Sequence, residues 1–447
     1  MRHPVTILGA ALVTLSALLF LIVYALELFG WHTNPYIGIV FFLMMPGLFV
    51  FGLLLIPLGL WLERRARARG APRRRLWPLI DPNNPRHQQI IAGVGVLTIV
   101  NVVIVSLAAF RGVHYMDSVE FCGQVCHEVM EPEFVSYQAG PHARVACVEC
   151  HIGPGAPWFV RSKLSGLRQV YAVAFETYSR PIPSPVHDLR PARDTCEQCH
   201  WPEKFHGEAI RTVREYANDE ANTEAVTVLR LHVGGGSEST GPVRGIHWHT
   251  SALNEVDYIA TDEKRQTIPW VRLSTPDGVK EYVAPGTDTA ALAGREVRRM
   301  DCMDCHNRPS HTLAPSAGHA VDQAIANGHI DRDLPFVRRE AVAVLEEEFA
   351  STEEAARQID SRLMAFYERE FPAVIAGRRP AVEGAVATAQ RLYRENVFPR
   401  MRVTWGTYEN NLGHTTAAGC FRCHDGEHLA SDGSAIRQDC DLCHDIE

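Results

Sequence analysis

The chain has 447 residues, 44 Lys and Arg against 52 Asp and Glu, and twelve cysteines, a length that allows two or three domains. Its net charge of −8 hides an asymmetry: residues 1–110 carry nine basic and three acidic residues, and the remainder carries 35 basic and 49 acidic, a net of −14. So acidic a main portion argues against nucleic-acid binding and suits a basic or weakly charged partner.

Three apolar runs open the chain: Val5 to Leu26, Tyr36 to Leu62 with Pro46 and Pro57 inside it, and Gln89 to Phe110. At 1.5 Å per helical residue each is long enough for about 30 Å of hydrocarbon. The first run is too long and too weakly basic at its head for a cleaved signal peptide, and a second run follows closely. Three retained spans are expected. Seven arginines fall within the thirteen residues from Glu63 to Arg75, whereas the Trp31–Pro35 loop has no Lys or Arg. Positive loops stay cytoplasmic, so the amino terminus and the basic loop belong inside and everything after Phe110 outside. For a bacterial protein that is the inner membrane with a periplasmic main domain in contact with membrane lipid.

Beyond the third run, one pattern recurs. Cys-x-x-Cys-His stands at Cys147, Cys150, His151; at Cys196, Cys199, His200; at Cys302, Cys305, His306; at Cys420, Cys423, His424; and at Cys440, Cys443, His444. A sixth copy, Cys122-Gly-Gln-Val-Cys126-His127, has one extra residue between its cysteines. Six pairs use all twelve cysteines. Each pair can form two thioethers to a haem, with the adjacent histidine as an iron ligand. Zinc clips and disulfide frameworks do not require a histidine after every second cysteine. Six haem c groups are therefore expected, attached in an oxidising compartment outside the cytoplasm.

Between motifs the texture changes. Trp158–Tyr178 reads as an amphipathic helix stopped by the prolines at 181, 183 and 185. Val226–Val233, Val243–Thr250, Val256–Ala260 and Ile268–Leu273 read as short strands separated by glycine-rich turns, a small antiparallel β insertion. Arg338–Phe349 and Thr352–Tyr367 return to helical periodicity. The expected fold is mainly α: transmembrane helices, then a loop-rich multihaem c-type cytochrome domain holding the β insertion. The expected divisions are a two-span hairpin at 1–62, a cytoplasmic basic loop at 63–88, a third anchor at 89–110, a haem domain at 111–215, the β insertion at 216–290 and a second haem domain at 291–447.

Electron-carrying haems usually take a second axial His or Met. Twelve histidines lie outside the motifs after residue 111. By position the candidates are His142 and His187 before motifs, His311 just after one, and His414 and His428 flanking another. His249 is a sixth candidate; it shares its segment with His247, and strand alternation would point both to one face. In the irregular first motif, either His127 ligates normally or it turns away and Met130 takes the position.

Residues 89–215 resemble the NapC/NirT/NrfH family of membrane-anchored multihaem quinol dehydrogenases. The resemblance is carried by the third span running into Phe121-Cys-Gly-Gln-Val-Cys-His-Glu-Val-Met130, by His142 to His151, by the Lys163 helix, and by His187 and Cys196–Pro202. It implies oxidation of quinol from the membrane quinone pool and electron transfer along haems to a periplasmic redox protein. It implies that Lys163 lies near the quinol and that Met130 matches the family's methionine, although the spacing here is Cys-His-x-x-Met. Some members carry an acid two turns beyond the lysine, where this chain has Gln169-Val170; Asp117, Glu120 or Glu131 would then accept the proton. The six motifs and extra spans are similar to enlarged inner-membrane versions. Two other functions fit the same residues. A reductase of a small oxyanion needs one haem with an open position, and a haem-bearing scaffold of a membrane complex, or a homo-oligomer, would use the extra spans.

Overall fold

A computed structural model describes residues 4–28, 45–68, 81–125, 127–153, 155–186, 190–205, 207–234, 245–251 and 253–447. The chain divides into two units, Met1–Val125 and Cys126–Glu447.

In the first unit, helix α1 (Pro4–Leu28) and helix α2 (Met45–Ala68) run antiparallel, with Thr6 against Gly59 and Gly9 against Gly52. A Cβ at Gly9 would stand 2.7 Å from the Gly52 carbonyl oxygen, and one at Gly52 would stand 2.9 Å from that of Gly9. Small residues bring the two backbones into contact, the usual device where lipid supplies no hydrophobic drive for helix association. Pro46 sits in the first turn of α2, where its missing N–H costs nothing, while Pro57 lies inside the helix. The helix continues past Leu62 to Ala68. The first arginines of the expected basic loop therefore form its last turn, where cations oppose the helix dipole. The rest of that loop, residues 69–80, and residues 29–44 of the second apolar run lie outside the described residues.

Helix α3 (Pro85–Met116) begins at an Asn84 cap, whose side chain accepts from the Arg86 N–H at 3.0 Å, and it buries none of its residues. Among the described residues α2 and α3 are long and apolar enough to cross a membrane, and α1 adds a shorter apolar stretch, Pro4–Leu19. A π turn, Phe121–Val125, follows α3.

The second unit starts with α4 (His127–Ala139) and α5 (Ala156–Ala174). Its largest core belongs to four helices between the fourth and fifth motifs: α6 (Ala317–Ala326), α7 (Val337–Leu345), α8 (Thr352–Glu370) and α9 (Pro372–Asn396). Val321, Leu334, Val337, Leu345, Ile359, Tyr367 and Val382 are fully enclosed there.

Two antiparallel sheets complete the unit. One has the order β1-β2-β8, formed by Ala209–Tyr216, Glu224–Leu231 and His444–Ile446. The other has the order β6-β3-β4-β5-β7, formed by Arg298–Arg299, Glu255–Ile259, Trp270–Thr275, Gly278–Val283 and Leu429–Ala430. The expected insertion is not self-contained. Residues that follow the fifth and sixth motifs supply an edge strand to each sheet, with Leu229 opposite Ile446 and Tyr282 opposite Ala430. The expected strand Val243–Thr250 is also absent: Ile246–Thr250 forms a 3-10 turn, and residues 241–244 lie outside the described residues.

Candidate haem-binding centres

A Cys-x-x-Cys-His stretch folded as one tight turn brings positions i, i+3 and i+4 to one side. The His200 N–H donates to the Cys196 carbonyl at 2.8 Å, His306 to Cys302 at 2.8 Å and His424 to Cys420 at 3.0 Å. All eleven described cysteines are free of disulfides. The first motif has its extra residue where the backbone widens into the π turn. A turn closed by i→i+5 bonds accommodates one residue more than an α turn. Cys126 lies outside the described residues, as do His187 and the placement of the His127 side chain. Met130 is half-buried on α4, and its chain neighbour Val129 belongs to a small core with Phe398, Met401 and Val403.

Five motif histidines each face a second histidine distant in the chain. Ring centroids are 6.1 Å apart for His200 and His142, 6.2 Å for His151 and His311, 6.4 Å for His306 and His247, 5.7 Å for His424 and His249, and 6.2 Å for His444 and His414. Two imidazoles sharing a metal, each bonded at about 2.0 Å, stand with centroids roughly 6 Å apart. The residues present therefore fit bis-histidine haem iron.

Four of these five partner histidines have Nδ1 against a backbone carbonyl, which leaves Nε2 bare for a metal. The partners are Pro309 for His142 at 3.2 Å, Glu133 for His311 at 2.9 Å, Val233 for His247 at 3.0 Å and Ile246 for His249 at 2.8 Å. The His249 and His424 Nε2 atoms face each other at 3.5 Å. His414 is held differently, stacked on Phe421 of the fifth motif with centroids 4.2 Å apart. His444 Nδ1 is buried with no hydrogen-bond partner. Desolvation, ahead of repulsion from His311 and His247, lowers the proton affinity of His151 and His306, favouring the neutral form that metals bind.

His428 does not fit the expected ligand role. Its Nε2 meets the Ile268 carbonyl at 2.7 Å and its Nδ1 meets the Asp425 carboxylate at 2.9 Å, so neither nitrogen is bare. It ties its loop to the larger sheet. His247, which was not among the expected ligands, faces His306 of the fourth motif instead. The strand reading hid it, because alternation put His247 and His249 on one face.

The third and fourth motifs are neighbours, their turns Ala192–Cys196 and Cys302–Cys305 lying in contact. Buried Arg422 joins the fifth motif to the fourth, donating from Nη2 to the Asp304 carbonyl at 2.6 Å and from Nε to the Gly419 carbonyl at 2.8 Å. Asp304 in turn accepts from the Tyr258 hydroxyl of β3.

The expected quinol residues are distributed over both units. Lys163 is half-buried on α5, a helix with no acidic residue whose Val160, Leu164, Leu167 and Tyr171 are exposed along one face. Glu131 is exposed on α4. In the first unit Asp117 caps the carboxyl end of α3, and Glu120 is exposed beside the π turn.

The N-terminal region of the NapC/NirT cytochrome c family matches residues 84–182. The cytochrome c-type protein ImcH of Geobacter sulfurreducens is 42% identical over 448 residues, covering 99% of this chain and 88% of that protein. No solved structure matches the chain.

Proposed function

The chain belongs to the NapC/NirT cytochrome c family, and from that premise we propose a hexahaem quinol dehydrogenase of the inner membrane that delivers electrons to a periplasmic redox protein. The observation that carries this reading is the set of five histidine pairs, each matching the span of an iron with two imidazole ligands.

Haem c supplies one-electron carriers at these positions, without bonds made or broken in the protein. The chain supplies the rest. Twelve cysteines (Cys122, Cys126, Cys147, Cys150, Cys196, Cys199, Cys302, Cys305, Cys420, Cys423, Cys440 and Cys443) hold the rings by thioethers. His151, His200, His306, His424 and His444 would each hold an iron together with the histidine they face, His311, His142, His247, His249 and His414 respectively. His127 or Met130 serves the first motif. At the five paired positions two imidazoles would leave no iron coordination site for an oxyanion, which favours a relay over a reductase there. The contact of the third motif with the fourth and the Arg422 bridge from the fifth to the fourth favour neighbours in space that follow the order in sequence there.

Quinol oxidation sheds two protons and two electrons. Lys163 is assigned to stabilising the quinolate as a hydroxyl proton leaves, and Glu131, Asp117 and Glu120 are the candidate acceptors, each tested alone. The basic segment after α2 keeps the amino terminus cytoplasmic.

The test uses the purified full-length protein in liposomes with a menaquinol analogue. Quinol should reduce the haems, and Lys163→Met should slow that reduction by about tenfold or more while dithionite still reduces the variant fully. Protein that stays oxidised with quinol while dithionite reduces it defeats the proposal. A high-spin signal that shifts with nitrite would favour the oxyanion reductase instead.

A further inference from the structure

We propose that the Ile246–Thr250 turn is a double bracket, supplying the second axial ligand to two neighbouring irons, through His247 to the iron of His306 and through His249 to that of His424. The inference rests on the haem reading above and adds that one short segment positions two ligands at once.

The geometry of the turn makes this feasible. A 3-10 turn advances about 120° per residue, so three consecutive side chains leave it in three directions. His247, Trp248 and His249 use all three. Trp248 packs on the core of Val256, Tyr258, Ile268 and Val271, and the flanking imidazoles face different motifs. A strand would send both histidines one way and serve a single iron.

The turn is held on every side. The Ile246 N–H donates to the His232 carbonyl at 2.9 Å, and the His247 N–H to that of Val233 at 3.1 Å. The Asn254 amide donates to the Trp248 carbonyl at 3.0 Å, and Arg193, three residues before Cys196, donates to the Thr250 carbonyl at 3.0 Å. The His232 N–H donates to the Cys443 carbonyl at 2.8 Å, so the segment beneath the turn is itself fixed to the sixth motif.

Gly245 is the positioning residue. Its φ of +74° and ψ of −164° belong to a conformation that is essentially glycine's alone. A Cβ there would stand 2.5 Å from the His232 carbonyl oxygen and 2.8 Å from the Gly234 Cα. Any side chain at 245 must lift the turn off its support and carry both imidazoles with it.

The ring planes provide a signature. His247 and His306 are nearly parallel, 8° apart, whereas His249 and His424 are nearly perpendicular at 83°. Parallel rings split the iron d orbitals that bond to them and give a rhombic low-spin signal. Perpendicular rings leave those orbitals nearly degenerate and give a strongly axial one.

The experiment is paramagnetic resonance, with haem counting, on full-length holoprotein. His247→Gly should keep the wild-type haem count, turn one haem high-spin and remove a rhombic signal. His249→Gly should turn one haem high-spin and remove an axial signal. Added imidazole should restore each. Gly245→Val should lose both signals together. If His311→Gly converts one haem but neither His247→Gly nor His249→Gly does, the bracket is wrong and the haem reading stands. If none of the three converts a haem, the haem-ligand reading falls with it. If both single variants convert a haem but Gly245→Val converts none or only one, the shared support is wrong. If Gly245→Val does not accumulate, the two histidine variants and their imidazole rescue decide the matter.

Discussion

Asp257 is a nearly enclosed carboxylate in β3 that accepts from Arg272 at 2.7 Å and Arg299 at 2.6 Å. Burial alone would raise its pKa, but hydrogen bonds from the two guanidinium groups outweigh that and hold it below the usual carboxylate range. A carboxyl depressed in the folded state stabilises fully above its unfolded value of about 3.9, and the contribution disappears as pH falls through the folded value. Stability should therefore drop as pH falls below about 4. Asp257→Asn should flatten that acid limb and cost about 1–3 kcal/mol near neutrality. Thermal denaturation between pH 3 and 7 checks both. The histidines teach a residue-scale lesson of another kind. His428 and His414 both flank the fifth motif, and spacing makes them equivalent. They part company only because Asp425 and the Ile268 carbonyl take both nitrogens of His428, while Phe421 stacks on His414.

At the scale of elements, α1 and α2 depend on glycines at their contact. Gly52→Leu and Gly59→Leu should force the helices apart, whereas Gly47→Leu and Gly93→Leu meet open space. Membrane-inserted yield and the aggregation temperature in detergent should fall for the first pair and not the second. That these two segments are helices was legible because long apolar runs have few alternatives, although the second helix runs from Met45 to Ala68 and not from Tyr36 to Leu62. The Ile246–Thr250 turn was not, because Ile246-His-Trp-His-Thr250 has the composition of a strand and its conformation is set by Gly245 against His232 and Gly234. The short strands Leu429–Ala430 and His444–Ile446 were equally hidden. Two or three residues have no periodicity, and only the sheet edge they complete makes them strands.

For the whole molecule, charge is the quantity that reaches furthest. Everything beyond residue 110 carries a net −14. Electron transfer to a basic acceptor should slow as ionic strength rises from 0.01 to 0.3 M, by about tenfold, because screening removes the steering field. Stopped-flow reduction of a basic and an acidic acceptor protein separates this from a general salt effect, since the acidic one should speed up.

Adjacent residues and composition alone mark the Cys-x-x-Cys-His motifs, the segments apolar enough to enter a bilayer and the acidity of the remainder. No distant contact can reverse any of these. Tertiary structure alone decided which histidine faces which motif, that His247 stands in that set and His428 outside it, and that the carboxyl-terminal residues close both sheets. Those outcomes depend on nitrogens and carbonyls that meet only when segments far apart in the chain are packed together, and one backbone hydrogen bond at an imidazole is enough to turn its free nitrogen toward a metal or away from it.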